Sequence, residues 1–193
     1  MKPYKKCCYF LFACAALFGT AVPAFAFDDG FSYDKKIEGK YVTVYCAPGT
    51  DIPRLAPQLN LRPSDEILAG QSRKVEDPSG GELVPMLDTL FMKVSDILDM
   101  HLNSLKTNLK VCKTNEELAG IYKRLFGGSL GARRSFYDHD LNSIYVSAEA
   151  FQPGIVGHEM SRAIIGHYFG IPAPEKVQEV LSLYVEDNLQ KKV

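Results

Sequence analysis

A short stretch near the end of the chain, GHEMSR, holds His158, Glu159 and Arg162 at positions from which helix side chains can bind and use a metal ion. Residues four positions apart lie on one face of an α-helix, so two histidines at that spacing can bind one zinc ion. A glutamate next to the first histidine can then act as general base towards a zinc-bound water. Here the second position holds arginine, which stays protonated and has no lone pair for a metal. The stretch therefore contains one ligand and a base, but no second ligand.

A second stretch, QEVLSLYVE, follows on the next predicted helix and begins with Glu179. With the strand-like SIYVS before GHEMSR, it resembles the gluzincin-type zinc metallopeptidases over roughly residues 135–190. In that family an E-G-L-A-x-Y helix supplies a carboxylate as third zinc ligand, and an edge strand before the active-site helix pairs with an extended peptide substrate. The resemblance implies that His158 is the first ligand, Glu159 the general base and Glu179 the third ligand. The position of the second ligand falls on Arg162.

Arg162 changes what the resemblance implies for activity. A guanidinium would repel a zinc ion, whereas beside Glu159 and Glu179 it can form a charge-assisted hydrogen bond to a carboxylate. We therefore expect Arg162 to occupy the place of the metal and to join the two helices. This predicts a gluzincin-like domain without zinc and with impaired catalysis, which binds a peptide or protein along the edge strand. A plainer interpretation is an ordinary helix, because glutamate and arginine at this spacing usually form a surface salt bridge.

An active enzyme with a different ligand set is the alternative function. Zinc would then be bound by His158, Glu179 and a residue from elsewhere, such as His139 in the DHD turn. His167 does not suit that role, because nine residues of unbroken helix turn it about 180° away from His158.

Other residues near the predicted cleft offer weaker signals. Tyr137 and Tyr145 could donate hydrogen bonds to a bound peptide, or they could be half-buried aromatic residues of the strands. The chain contains no glycine-rich phosphate loop and no C-x-x-C. The motifs therefore favour peptidase-like chemistry over other enzyme classes.

The first residues have the order of a secretory signal peptide. Three lysines precede an apolar run, which ends in the small-residue site AFA before an acidic segment. We expect a signal peptide over residues 1–26, export to a periplasm or out of the cell, and a single domain over residues 27–193. The alternatives are a membrane anchor and lipidation at Cys14, but the apolar run is short for both.

The charge of the expected mature chain argues against a nucleic-acid partner. Residues 1–26 contain three of the 22 basic residues and none of the 23 acidic ones, so 19 basic residues remain and the net charge is about −4. The basic residues are scattered, without the clusters that bind phosphates. No later stretch is long and apolar enough to predict a membrane span.

Two cysteines, Cys46 and Cys112, remain after the predicted cleavage. Each belongs to a strand-like run, YVTVYC or LKVCKT. In an oxidising compartment they could form a disulfide, which needs the two strands to be neighbours. Otherwise both are buried free thiols.

The order of predicted elements indicates an α+β fold with a small mixed sheet, an active-site-type helix and a C-terminal helix, as in a zincin. Strands are predicted at YVTVYC, NLKVC, the segment around SFYD, and SIYVS. Helices are predicted over about residues 83–105, 115–125, 154–170 and 175–189. His101 lies on the apolar stripe of the first of these helices and is interpreted as a core residue.

Overall fold

A computed structural model describes residues 28–64, 81–169, 171 and 173–191. The predicted signal peptide lies outside these residues. The strands are β1 (Lys35–Glu38), β2 (Val42–Cys46), β3 (Thr107–Cys112), β4 (Ser135–Asp138) and β5 (Ser143–Ser147). The helices are α1 (Ile52–Leu59), α2 (Leu83–Leu98), α3 (Asn115–Phe126), α4 (Pro153–Tyr168) and α5 (Glu175–Lys191), with one turn of 3-10 helix at Ala148–Ala150.

The five strands form one mixed sheet in the order β1-β2-β3-β5-β4. Strands β2, β3 and β5 run parallel, while β1 and β4 pair antiparallel at the two edges. The prediction of an α+β fold with a small mixed sheet is therefore confirmed. None of the described helices is both long and apolar enough to cross a membrane.

One strand prediction is wrong: SIYVS, which is β5, is not the edge strand. Because the chain turns back at Asn142, whose φ is 42°, β4 and β5 form a hairpin. The later strand pairs with β3, which leaves β4 at the edge. All five residues of β5 are buried, as the position between two strands requires.

The sheet carries helices on both faces. The main core lies between one face and α1, α2, α4 and α5, and it includes Ile144 and Val146 of β5. A smaller cluster on the other face contains Tyr145 of the same strand, Phe136 of β4 and side chains of α3. The two-residue period of a strand explains why neighbours in β5 belong to different clusters.

Of the two alternatives for Cys46 and Cys112, the structure has the buried free thiols and not the disulfide. Strands β2 and β3 are neighbours as the disulfide would require, but their register places Cys46 opposite Val111. Cys112 is one residue further along, so its side chain points to the other face of the sheet. The two cysteines accordingly belong to different hydrophobic clusters.

Helix α2 ends earlier than the apolar pattern predicts. It stops at Leu98, because Asp99 adopts the left-handed conformation with φ 53° and its N–H caps the last turn. His101 therefore follows the helix, and its side chain is 56 % exposed rather than in the core. The loop residues Met100 and Leu102 still pack against the core, so the apolar pattern continues past the helix end.

A buried carboxylate connects α2 to the start of β2. Asp88 is fully buried and accepts hydrogen bonds from the backbone N–H groups of Lys40, Tyr41 and Val42 at 2.7, 2.8 and 3.1 Å. Burial raises the pKa of Asp88, and these three hydrogen bonds oppose the rise. The contact fixes the strand on the helix that supports α4.

Helices α4 and α5 approach closely because glycines face the contact. A Cβ atom on Gly157 would lie 2.3 Å from Cδ1 of Leu189, and one on Gly154 would lie 3.2 Å from Nε2 of Gln190. Ser161 and Ser182 also meet across this contact, with their Oγ atoms 2.7 Å apart. The close packing brings the polar side chains of α5 next to those of α4.

Candidate functional site

The candidate site lies where α4 faces α5, and it contains three residues that the sequence analysis selected. Arg162 donates a hydrogen bond from Nη1 to Oε2 of Glu179 at 3.0 Å. The same carboxylate oxygen lies 3.8 Å from Nε2 of His158. His158, Arg162 and Glu179 therefore converge, although they come from two helices.

His158 has a second carboxylate partner that the sequence analysis missed. Its Nδ1 lies 3.2 Å from Oε2 of Glu186. Glu186 follows Glu179 by two helical turns and so lies on the same face of α5. This seven-residue spacing is the sequence feature that could have predicted Glu186 as a second partner of His158. The imidazole is thus held between two carboxylates of one helix.

Glu159, the predicted general base, also lines the cleft, but its hydrogen-bond partner is Ser135 of β4. The residue is only 5 % exposed, and its Oε1 accepts a hydrogen bond from Oγ of Ser135 at 2.7 Å. Among the described residues, its other oxygen, Oε2, has no hydrogen-bond partner. Burial raises the pKa of Glu159, and the His158 charge, the Ser135 hydrogen bond and the Arg162 charge oppose that rise. Arg162 therefore bonds to one of the two glutamates predicted for it, Glu179.

Two serines support the backbone next to His158. Oγ of Ser161 lies 2.6 Å from the carbonyl oxygen of His158 and 2.7 Å from Oγ of Ser182. Since a hydroxyl has one proton, Ser161 can donate to the carbonyl while it accepts from Ser182. This chain of hydrogen bonds ties α5 to the turn of α4 that carries the imidazole.

The donor set does not fit a zinc ion. A zinc site needs three or four neutral imidazole, thiolate or carboxylate ligands around one point. At this site a guanidinium holds the position that the resemblance assigns to the second ligand, and the ring nitrogens of His158 face separate carboxylates. Within residues 28–64, 81–169 and 173–191, no group of three or more His, Cys, Asp or Glu side chains could hold a metal.

The structure does not bring His139 to the site, which corrects the ligand set of the alternative function. Its ring packs against His167, with ring centroids 5.1 Å apart, and its Nδ1 lies beside Gly166. Gly166 is two helical turns from His158, or about 12 Å along the axis. His167 itself is exposed at the end of α4, as its spacing predicts.

The two predicted substrate-binding tyrosines occupy different faces of the sheet. Tyr137 lines the cleft, and its hydroxyl lies 3.4 Å from Oδ1 of Asn142 and 3.4 Å from Nδ1 of His167. Tyr145 is fully buried on the opposite face, where its hydroxyl bonds Asp29, which also pairs with Lys110. Of these two tyrosines, only Tyr137 lines the cleft.

An open cleft of about 970 Å³ contains the whole arrangement. One wall is formed by β4 with the two residues before it and by the end of α3. The other wall is the face of α5 that carries Glu179, and the floor is α4 with His158, Glu159 and Arg162. The edge strand of the sheet therefore runs along the cleft.

Comparison of the chain with protein-family models, with curated proteins and with solved structures finds no match.

Proposed function

We propose that this chain is an exported peptide-binding protein with a gluzincin-like scaffold, in which Arg162 replaces the second zinc ligand and hydrolysis is lost. The observation that carries the proposal is the 3.0 Å hydrogen bond between Arg162 and Glu179 beside His158. These are the three positions at which the resemblance implies zinc ligands. A salt bridge between the helices supplies there the positive charge that a metal would bring.

The state of Glu159 supports a loss of catalysis. A general base needs to reach the water that it activates. Glu159 instead accepts a hydrogen bond from Ser135 in a buried position, and burial favours its neutral form. Together with the missing ligand, this leaves the site without the parts of a metal-assisted hydrolysis.

The edge strand supports the binding of an extended peptide. A strand at the edge of a sheet presents unpaired N–H and C=O groups to which another chain can add. Strand β4 is such an edge, and it forms a wall of the cleft. Tyr137 of this strand adds a half-buried hydroxyl on the cleft side.

The proposal is tested on the exported protein, purified after its signal peptide has been removed. After incubation with zinc and removal of the excess, we expect far less than one zinc per chain by elemental analysis. We expect no cleavage of a quenched-fluorescent peptide pool, and binding of the same peptides by fluorescence polarisation. Absence of peptide binding would contradict the proposed function.

The same assay tests the alternative of an active metallopeptidase. One zinc per chain, with hydrolysis that a chelator stops and that Glu159→Gln abolishes, would establish the enzyme instead. Hydrolysis that survives Glu159→Gln would point to a contaminating protease.

A further inference from the structure

Two arginines that form no ion pair with any described residue line the cleft directly before β4. Arg133 and Arg134 are both exposed and both line the cleft. Arg133 donates from Nη1 to the hydroxyl of Tyr122 at 3.2 Å, a neutral partner. Within the described part of the chain, neither arginine forms an ion pair.

Three of the four acidic residues that line the cleft already have other contacts. Glu179 pairs with Arg162, and Glu186 contacts His158. Glu159 is buried and accepts a hydrogen bond from Ser135.

The opposite wall carries one exposed residue of each sign, Glu175 and Lys176. Neither forms an ion pair with another described residue. They offset one another, which leaves Arg133 and Arg134 as exposed guanidinium groups without a carboxylate partner among the described residues.

Apolar side chains lie on both walls near these charges. Phe126 at the end of α3 is 49 % exposed, and Val180 and Leu183 on α5 are 65 % and 50 % exposed. All three line the cleft. Exposed apolar side chains that border a groove mark an interaction site more often than isolated ones do.

We propose that the occupant of the cleft is an extended segment of a partner protein that carries acidic side chains next to an apolar one. Its main chain pairs with β4, its carboxylates bind Arg133 and Arg134, and its apolar side chain contacts Phe126, Val180 or Leu183. Arginine suits this role because its planar fork of donors matches a carboxylate. This inference rests on the proposed peptide-binding function and adds the chemistry of the partner.

The test compares two pools of fluorescent octapeptides with acetylated and amidated ends, so that side chains are the only carboxylates. Both pools have the same degenerate Val, Leu and Phe positions, with two glutamates in one pool and two glutamines in the other. We expect the glutamate pool to bind about fivefold more tightly at low ionic strength, since two exposed ion pairs give an effect of that order. The preference falls as salt is added.

The Arg133→Gln/Arg134→Gln double variant is expected to bind both pools equally, at the level of the glutamine pool. Arg54→Gln serves as the matched control, because it removes an exposed arginine of α1 that does not line this cleft. It should keep the preference for glutamate.

The two proposals fail in different ways. If both pools bind equally and the double variant changes neither affinity, the cleft binds peptides without a preference for acids and this inference is overturned. If neither pool binds, the proposed function fails with it. If the double variant still prefers the glutamate pool, the peptide carboxylates bind another part of the protein, and the role of the two arginines is overturned.

Discussion

Arg162 on α4 and Glu179 on α5 form a 3.0 Å hydrogen bond, and the same carboxylate oxygen lies 3.8 Å from His158. One carboxylate thus faces a guanidinium and an imidazole that are one helical turn apart. The guanidinium thus joins the two helices, at the place where the proposed function puts a replaced metal ion. A single substitution can therefore test whether the rest of the site still suits a metal.

The first prediction is that Arg162→His creates a zinc site. The new imidazole would lie one turn after His158, and Glu179 would lose its arginine and become free to act as a ligand. Glu186 already holds Nδ1 of His158, which leaves Nε2 towards Glu179. We expect close to one zinc per chain for this variant by elemental analysis after dialysis.

The matched control is Arg162→Gln, which also removes the charge but supplies no imidazole. It should bind no more zinc than the unchanged protein. If Arg162→His keeps its circular dichroism spectrum and still binds no zinc, the three positions do not form a ligand set.

The second prediction concerns Glu159 and the pH dependence of folding stability. Because burial raises the pKa of Glu159 above its ordinary value of 4.5, the folded state holds this proton more tightly than the unfolded state. Stability from the neutral carboxyl is complete below about pH 4.5 and declines as pH rises through the folded pKa. Glu159→Gln removes this decline. The free energy of unfolding of the variant, relative to that of the unchanged protein, should therefore increase as pH rises from 4 to 8.

Urea unfolding at several pH values measures this difference directly. Ser135→Ala is a second test of the same group, since the Ser135 hydroxyl donates a hydrogen bond to Oε1 of Glu159. Its loss should cost about 1–3 kcal/mol and make the decline with pH steeper, because the bond favours the charged carboxylate. A stability difference between Glu159→Gln and the unchanged protein that does not vary with pH would contradict the assignment.

The third prediction is that Asp88 is required for stability although it lies away from the cleft. Asp88→Ala leaves the N–H groups of Lys40, Tyr41 and Val42 without their acceptor, two of them in buried positions. We expect a loss of at least about 3 kcal/mol in the free energy of unfolding. Asp88→Asn keeps one acceptor oxygen but turns an amide towards a donor, and should cost about 1–3 kcal/mol.

Asp96→Asn is the control on the same helix, because its carboxylate is 70 % exposed. Thermal and urea unfolding should place this variant within about 0.5 kcal/mol of the unchanged protein. A comparable loss in Asp96→Asn would show that the effect belongs to the helix rather than to the buried hydrogen bonds.

Helical spacing predicts that His158 and Arg162 share one face of α4, because residues four apart do so in any regular helix. That Glu179 of the next helix meets them was implied by the resemblance and not by spacing. The α+β class was equally accessible from the order of periodic segments. The shared helix face and the order of elements are local patterns, and both can be predicted without the tertiary contacts.

What could not be predicted depends on register and on which strands become neighbours. Strand β5 pairs with β3 and is not an edge strand because of its hairpin with β4. The sequence SIYVS by itself does not indicate this pairing. Ser135 as partner of Glu159 required knowledge that β4 packs on α4. The end of α2 was missed because Met100 and Leu102 continue the apolar pattern while Asp99 ends the helix.

The last prediction is that Cys46 and Cys112 remain reduced in the folded protein. Their side chains belong to clusters on opposite faces of the sheet, and burial raises their pKa values to about 11 and about 12. Since the thiolate is the reactive form, neither should react with Ellman's reagent at pH 8 while the chain is folded. The processed protein should release two reactive thiols per chain in guanidinium chloride without reductant. If thiols appear only after a reductant is added, the cysteines are bonded, and the register of β2 and β3 would have to differ from the one that places Cys46 opposite Val111.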